Sequence, residues 1–414
     1  MFLLIIDMSQ YVCAFRGRRD NYQVPLALAE KGWLDQLITD FYAVKPFAQI
    51  APILPKTWQN KLAFRSEVGI PIERVSCLWR NTLLEHSRHH LGFSHSSTYS
   101  WLDQNFARAA TSQAQRTKSN LLLYEPYAWE AFRASYRHTP RRVLFQYHPH
   151  TKFQDCLLME DLKRFPFVQH SYQEETANHL SSHQQVRVRD CWQHADLILC
   201  ASSFTKKTLV AAGAESNSCK VIPYGIDVAM PLFEEAKVES FQALFVGSGV
   251  QRKGLHHLLY AWRQARLPKE SLLTLVCRNL DPGIEALIYE TPQVHLIRGT
   301  DLQNLRRLYI ASSLFVMPSL IEGFGQVFLE ALSHGCPVLG TFNTCLPDLG
   351  GEADGIFLSE VGNLDQLTTQ LEYLAKRLPA NPELRQKARS CAERFSFSSF
   401  RNKLRSVLCL SHVG

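Results

Sequence analysis

No stretch of 18 apolar residues occurs in the 414-residue chain, so no segment reads as a membrane-spanning helix. The opening run Phe2-Leu3-Leu4-Ile5-Ile6 is cut by Asp7 and lacks a basic leader; it reads as a first buried strand, not a secretory signal. The eleven cysteines are scattered singly, with no C-x-x-C pair, and several, such as Cys200 and Cys277, sit in strand-like runs. That pattern excludes a disulfide framework and implies reduced, buried thiols in a cytoplasmic protein. His86, His89, His90 and His95 have only Glu85 nearby as a partner, so they read as a solvated face, and no metal site is expected. No run mixes basic and aromatic residues densely enough for a nucleic-acid groove, and no nucleic-acid partner is expected.

What is present describes a globular protein: 46% hydrophobic and 20% charged residues, without low-complexity tracts. At this length two domains are the default. The charge is uneven. Residues 1–228 hold 26 Lys/Arg against 20 Asp/Glu, so six of the seven net positive charges lie there. A basic first half suits an anionic acceptor or a lipid surface, a solvated basic exterior being the alternative.

The second half alternates strand-like runs (242–246, 272–277, 294–297, 314–317, 337–339) with helical patterns near 254–266, 301–311, 325–334 and 361–377. Leu255, Leu258, Leu259 and Trp262 share one helix face. Such alternation predicts a parallel sheet covered on both sides. The first half repeats the theme more loosely, with strands at 2–6, 36–38, 121–124, 142–146, 196–200 and 220–222. Its helical patterns cover 22–31, 102–117, 127–136 and 202–212. Residues 45–100 are the least readable. Pro223-Tyr224-Gly225-Ile226-Asp227 and Pro231 mark the boundary. The expected domains are 1–228 and 229–395, followed by a helical tail within 396–414.

The most informative segment is Pro318-Ser319-Leu320-Ile321-Glu322-Gly323-Phe324-Gly325-Gln326-Val327-Phe328-Leu329-Glu330-Ala331. The loop leaves the carboxyl end of a strand and opens a helix, where open α/β sheets bind ligands. The amides of Gly325, Gln326 and Val327 are the free donors of that helix, suited to phosphate or sugar oxygens. Glu322 and Glu330 flank this anion seat. A carboxylate fits there best by accepting hydrogen bonds from hydroxyls, and a phosphate flanked by sugars is a nucleotide sugar.

A second loop, Phe245-Val246-Gly247-Ser248-Gly249-Val250-Gln251-Arg252-Lys253-Gly254, also joins a strand to a helix. Its Gly247-x-Gly249 start suggests a dinucleotide fingerprint, but Arg252 occupies the position that needs a small residue. Arg252 and Lys253 instead place two cations on the same sheet edge, able to hold a diphosphate and stabilise it as a leaving group.

In these segments the C-terminal half resembles family 4 of the retaining glycosyltransferases, of GT-B fold. Four stretches carry the likeness: Ala195–Ser203 through Val221–Asp227, Phe245–Gly254, Met317–Gly325, and Glu330–Val338. Glu322 and Glu330 match the family's two glutamates separated by seven residues. The resemblance implies an α/β protein of two Rossmann-like domains facing each other across a cleft, with a C-terminal helix crossing back to the first. It implies that Lys253 binds the donor diphosphate, Glu330 the ribose hydroxyls and Glu322 the transferred sugar. Phe324, Gly325, Gln326 and Val327 would supply backbone amides, with Gly323, Gly247 and Ser248 in the same donor-binding loops. Ser248 stands where the family often has Arg, and Arg252 would supply the missing charge. The family commonly places a His after the 142–146 strand, which selects His148, with His150 as the alternative. Gly17, in the loop after the first strand, would face donor phosphate or an anionic acceptor.

The expected activity is retaining, metal-independent transfer of a hexosyl unit from a nucleotide-diphosphate sugar, with no other cofactor. The acceptor is a glycan, lipid or small molecule. Peripheral contact at the inner face of a membrane is the expected alternative to a purely cytoplasmic location. A catalytically inactive nucleotide-sugar-binding subunit is the competing reading, supported by Ser248, and a dehydrogenase is the third.

Overall fold

A computed structural model describes residues 10–43, 65–91, 93–176, 180–227, 240–379 and 381–410. Thirteen strands make two wholly parallel sheets among these residues. The first contains β1 (Tyr11–Ala14), β2 (Leu34–Thr39), β3 (Val75–Cys77), β4 (Asn120–Tyr124), β5 (Arg142–Gln146), β6 (Leu197–Cys200) and β7 (Cys219–Val221), in the order β3-β2-β1-β4-β5-β6-β7. The second contains β8 (Gln242–Val246), β9 (Leu272–Val276), β10 (Val294–Ile297), β11 (Leu314–Val316), β12 (Val338–Thr341) and β13 (Ile356–Ser359), in the order β10-β9-β8-β11-β12-β13. The central strands are buried aliphatic runs such as Leu121-Leu122-Leu123 and Ala243-Leu244-Phe245. Both sheet faces are covered by helices, so little hydrophobic alternation remains.

Each sheet reverses its strand order once, between β1 and β4 and between β8 and β11. Loops leaving the carboxyl ends at such points diverge and leave a crevice.

One expectation falls outside the described residues, and two differ from the structure. The strand expected at 2–6 lies outside the described residues, and the first strand observed is Tyr11–Ala14. Strands β3 and β13 carry no strong sequence signal, because β3 is a short, partly exposed edge. The helices Thr151–Arg164, Gln169–Glu175 and Ser182–Asp190 were not anticipated, since their apolar spacing is weak and charged residues interrupt it. The expected boundary at 228 falls outside the described residues, as do 44–64 of the poorly readable stretch.

The final helix, Phe397–Leu410, packs on the first-sheet helix Gln23–Ala29. Arg401 Nη1 donates to Gln23 Oε1 at 2.5 Å, its Nε lies 3.0 Å from Glu30 Oε1, and Arg405 also pairs with Glu30. Phe400 packs against Phe145 and Tyr224, so it is a packing residue. Gly225 permits this crossing, because a Cβ there would sit 2.6 Å from the Ser396 carbonyl oxygen.

Candidate active site

The two crevices face each other and are joined by direct contact. Gly323, after β11, abuts the loop after β5 so closely that a Cβ would lie 1.7 Å from the Tyr147 carbonyl oxygen. Its own carbonyl accepts from Ser202 Oγ at 2.6 Å and Thr205 Oγ1 at 3.1 Å, at the start of the helix Ser203–Ala211. A second tie lies deeper. Asp161 of the helix Thr151–Arg164 accepts from His256 Nε2 at 2.9 Å, His257 Nε2 at 2.6 Å and Gln251 Nε2 at 2.9 Å. All four residues are buried. Asp161, His256 and His257 are also the one trio among the described residues with metal-ligand atoms mutually within 4.8 Å. Each carboxylate oxygen is already taken by an imidazole.

On the C-terminal wall, Arg252 and Lys253 lie on a single turn, Gln251–Lys253, closed by Gly254 in the left-handed region at φ 68°. A side chain at Gly254 would strike the Pro318 carbonyl oxygen, so glycine lets the two loops touch. Their cations converge on Glu322. Arg252 Nη1 donates to Glu322 Oε2 at 2.8 Å, and Lys253 Nζ donates to the same oxygen. Burial alone would raise the Glu322 pKa, but Lys253 and Arg252 pull it down from 4.5 to about 2, so it is ionised. Arg252 reaches Glu175 too, at 3.3 Å. The amides of Gly325, Gln326 and Val327, at the start of the helix Gln326–Ser333, have no hydrogen-bond acceptor among the described residues. They form an anion seat beside the cations.

The N-terminal wall is different. After β1, Asp20, Asn21 and Tyr22 all adopt left-handed backbone conformations, with φ between 48° and 60°. Such residues are strained, typically by about 1–3 kcal/mol each. The turn lays the Arg19 guanidinium over Tyr147 at 4.3 Å and Tyr124 at 5.5 Å, while Asp20 accepts from the Tyr124 hydroxyl. Glu125 opens the helix Glu125–Arg133 directly after β4 and is 95% buried, at 5% exposure. Its Oε2 has no hydrogen-bond partner, and His148 Nδ1 lies 3.8 Å away. Burial pushes the Glu125 pKa up to about 8, with Gln146 and Arg19 opposing. Burial likewise pushes Asp103 to about 7. His148 keeps 57% of its side-chain surface toward the open cleft. Desolvation by the surrounding protein, then Arg252, push its pKa down, so the ring is neutral.

A cavity of about 420 Å³ lies between the walls, bordered by His148, Glu125, Asp103, Glu175, Arg252 and Glu322. Several anticipated residues meet here: His148, Arg252, Glu322 and Gly323 line it, and Lys253 is joined to it through Glu322. Phe324, Gly325, Gln326 and Val327 follow in the same loop and helix start. Gly247 and Ser248 follow β8, the Gly247 amide donating to Val276 O at 3.1 Å. Glu330 is set back on its helix, where its Oε2 accepts from the Tyr309 hydroxyl at 3.2 Å and burial raises its pKa. Gly17 is not among the cavity residues, and its amide already donates to Asp40 Oδ1 at 3.0 Å. His150 borders a separate hollow with Trp192 and Thr208. Glu125, Asp103 and Glu175 were missed, and Arg19 was anticipated only as part of the loop after the first strand. For Glu125 a signal existed: it follows the 121–124 strand as Glu322 follows 314–317.

Residues 240–377 match the family model described as Glycosyl transferases group 1. Over this segment the chain is similar to the group 1 glycosyltransferases. That match covers the loops holding Arg252, Lys253, Glu322 and Glu330, and it sets the dehydrogenase reading aside. The chain is 27% identical over 225 residues to the MMP alpha-(1->4)-mannosyltransferase of Mycolicibacterium hassiacum, covering 52% of this chain and 54% of that one. It is 24% identical over 177 residues to the O-antigen chain mannosyltransferase B of Escherichia coli, covering 38% and 46%. The matches thus span about half the length of these curated relatives. Among solved structures it is similar to the sucrose-phosphate synthase of Thermosynechococcus elongatus, with TM-score 0.66, 16% identity and coverage of 96% and 98%. It is also similar to Anabaena Alr3699/HepE in complex with UDP and glucose, with TM-score 0.61, 16% identity and coverage of 97% and 99%. The fold likeness extends across both domains, and the arrangement is that of GT-B glycosyltransferases.

Proposed function

We propose that this glycosyltransferase moves a hexosyl unit from a nucleotide-diphosphate sugar to a hydroxyl acceptor, with retention of anomeric configuration and without a metal. The observation that carries the reading is the Arg252–Lys253–Glu322 cluster beside three unpartnered helix amides, facing His148 across the cleft. In the ligand-free arrangement Glu322 neutralises both cations. A diphosphate competes for Arg252 and Lys253, and the released carboxylate accepts hydroxyls of the transferred sugar. The Phe324–Val327 amides hold phosphate and sugar oxygens, and Glu330 takes the ribose hydroxyls. In the reaction the bond from the anomeric carbon to the diphosphate oxygen breaks as the acceptor oxygen bonds on the same face. The acceptor proton passes to the leaving diphosphate, whose charge Lys253 and Arg252 stabilise. Neutral His148 lines the donor sugar.

The acceptor is a glycan, lipid or small molecule. The N-terminal domain exposes Trp79, Leu84, Leu91 and Phe93, with Arg80 and Arg88 among them. Aromatic and aliphatic side chains interleaved with arginine suit a peripheral contact with an anionic lipid surface. No helix among the described residues is long and apolar enough to cross a membrane.

A thermal-shift screen of nucleotide sugars, followed by assay of nucleotide-diphosphate release, tests the reading. A donor at saturation should raise stability by a few kcal/mol. Binding without release would favour the inactive-subunit alternative that Ser248 raised.

A further inference from the structure

The wall opposite the donor cations contradicts the expectation that a basic first domain holds an anionic acceptor. The basic residues counted in the sequence do not border the cavity; carboxyl groups do. Asp103, Glu125, Asp155, Glu174 and Glu175 line its acceptor side. Among the described lining residues Arg252 is the single Lys or Arg, and Glu322 and Glu175 already pair with it. Arg19, another cation of this wall, is stacked on Tyr124 and Tyr147. A negatively charged group entering here would be desolvated beside several carboxyls with no free cation to meet it.

One oxygen on this wall asks for a ligand. Glu125 is 95% buried, lines the cavity and leaves Oε2 without a partner. A buried, unsatisfied acceptor is costly unless something completes it. The neighbouring His148 is too far at 3.8 Å. A sugar hydroxyl is the complementary group, since it can donate to a carboxyl oxygen and also accept from a protonated one.

We propose that the part of the acceptor held in the cleft is an uncharged or amino-substituted sugar residue, and that Glu125 binds one of its hydroxyls. This rests on the transfer reading above, and it makes Glu125, with Asp103 and Glu175 beside it, the element that selects against anionic acceptors. A lipid-linked acceptor remains compatible if its reacting sugar is neutral, its charged carrier staying outside the cavity.

The test uses the full-length protein and a panel of UDP- and GDP-sugars, with nucleotide-diphosphate release as readout. Methyl glycosides of glucose, mannose and galactose are compared with their uronic acid, 6-phosphate and 2-amino counterparts. Neutral or amino glycosides should raise release at least about tenfold over the acceptor-free rate, while the anionic counterparts leave it unchanged. Anionic glycosides that serve as well as neutral ones overturn the proposal, and so does release that no glycoside raises. Donor cleavage without acceptor separates the two levels. Cleavage in the acceptor-free arm sustains the transfer reading even when the acceptor proposal fails, whereas no release in any arm removes both. Glu125→Leu, which can neither donate nor accept, should raise KM for the best neutral glycoside about tenfold, the loss of one good hydrogen bond, with a smaller effect on kcat. The double variant Asp103→Asn/Glu175→Gln should admit uronic acid glycosides that the parent rejects. Unaltered acceptor KM in a Glu125→Leu protein with native circular dichroism removes Glu125 from the site.

Discussion

The two walls of the cleft share a topology and differ in electrostatic logic. Each is a set of loops at the point where a parallel sheet reverses its strand order. The C-terminal wall concentrates formal charge: two cations, one ionised carboxylate and three free amides. The N-terminal wall is lined by carboxyl groups, of which burial holds Glu125 and Asp103 above the usual range. A wall with paired cations grips an activated phosphate, and a wall of carboxyl groups suits a hydroxyl compound. The fold supplies two equivalent crevices, and the side chains at their mouths decide which substrate each takes.

The comparison can be broken most directly at Lys253. Lys253→Ala should lower turnover by about 10²–10³, the usual loss for one preorganised electrostatic contact, measured as kcat at saturating donor. Unchanged kinetics would separate the charged wall from catalysis. Next, Gly323→Ala should force the Tyr147 backbone away and cost up to about 3 kcal/mol of stability, read by denaturant unfolding. A neutral result would mean the two walls do not need this contact.

Opposite pH responses then distinguish the walls. Glu322 is held at about 2 rather than 4.5, so its contribution to stability is present above pH 4.5 and disappears as pH falls toward 2. Glu322→Gln should therefore destabilise at pH 7 by roughly 1–2 kcal/mol and be nearly neutral near pH 2. Glu125 is held at about 8 rather than 4.5, so stability is fully present below pH 4.5 and is lost as pH rises toward 8. Glu125→Gln should match the parent near pH 4.5 and gain relative stability, roughly 1–2 kcal/mol, by pH 8. Thermal unfolding across that range measures both slopes, and slopes of the same sign would erase the distinction. The smallest effect concerns the exposed apolar patch. Trp79→Ala should weaken sedimentation with phosphatidylserine vesicles a few-fold, because one interfacial aromatic is removed. Undiminished binding would show that the N-terminal surface does not use Trp79 to meet lipid.

The legible parts of the site were those built from local chain chemistry. Gly323, Gly325 and Gly254 are needed where backbones meet, and the strand-to-helix junctions around them showed Arg252, Lys253 and Glu322 as candidates. Glu330 was legible as a residue but not in its surroundings, since its partner Tyr309 lies on another helix. Gly17 illustrates the opposite failure: its place after β1 was right for a ligand loop, but Asp40 from the end of β2 takes its amide.

The sequence by itself determined two parallel sheets, the charged donor-side loops and a helical tail, because periodicity, glycine placement and motif spacing are properties of short segments. Tertiary structure alone decided that Glu322 neutralises both cations, that Asp161 joins the domains through His256 and His257, and that Glu125 ends with an unpartnered oxygen. Those facts depend on burial and on partners distant in the chain. The energy of a carboxyl group is set by what surrounds it, and a linear sequence does not say what that will be.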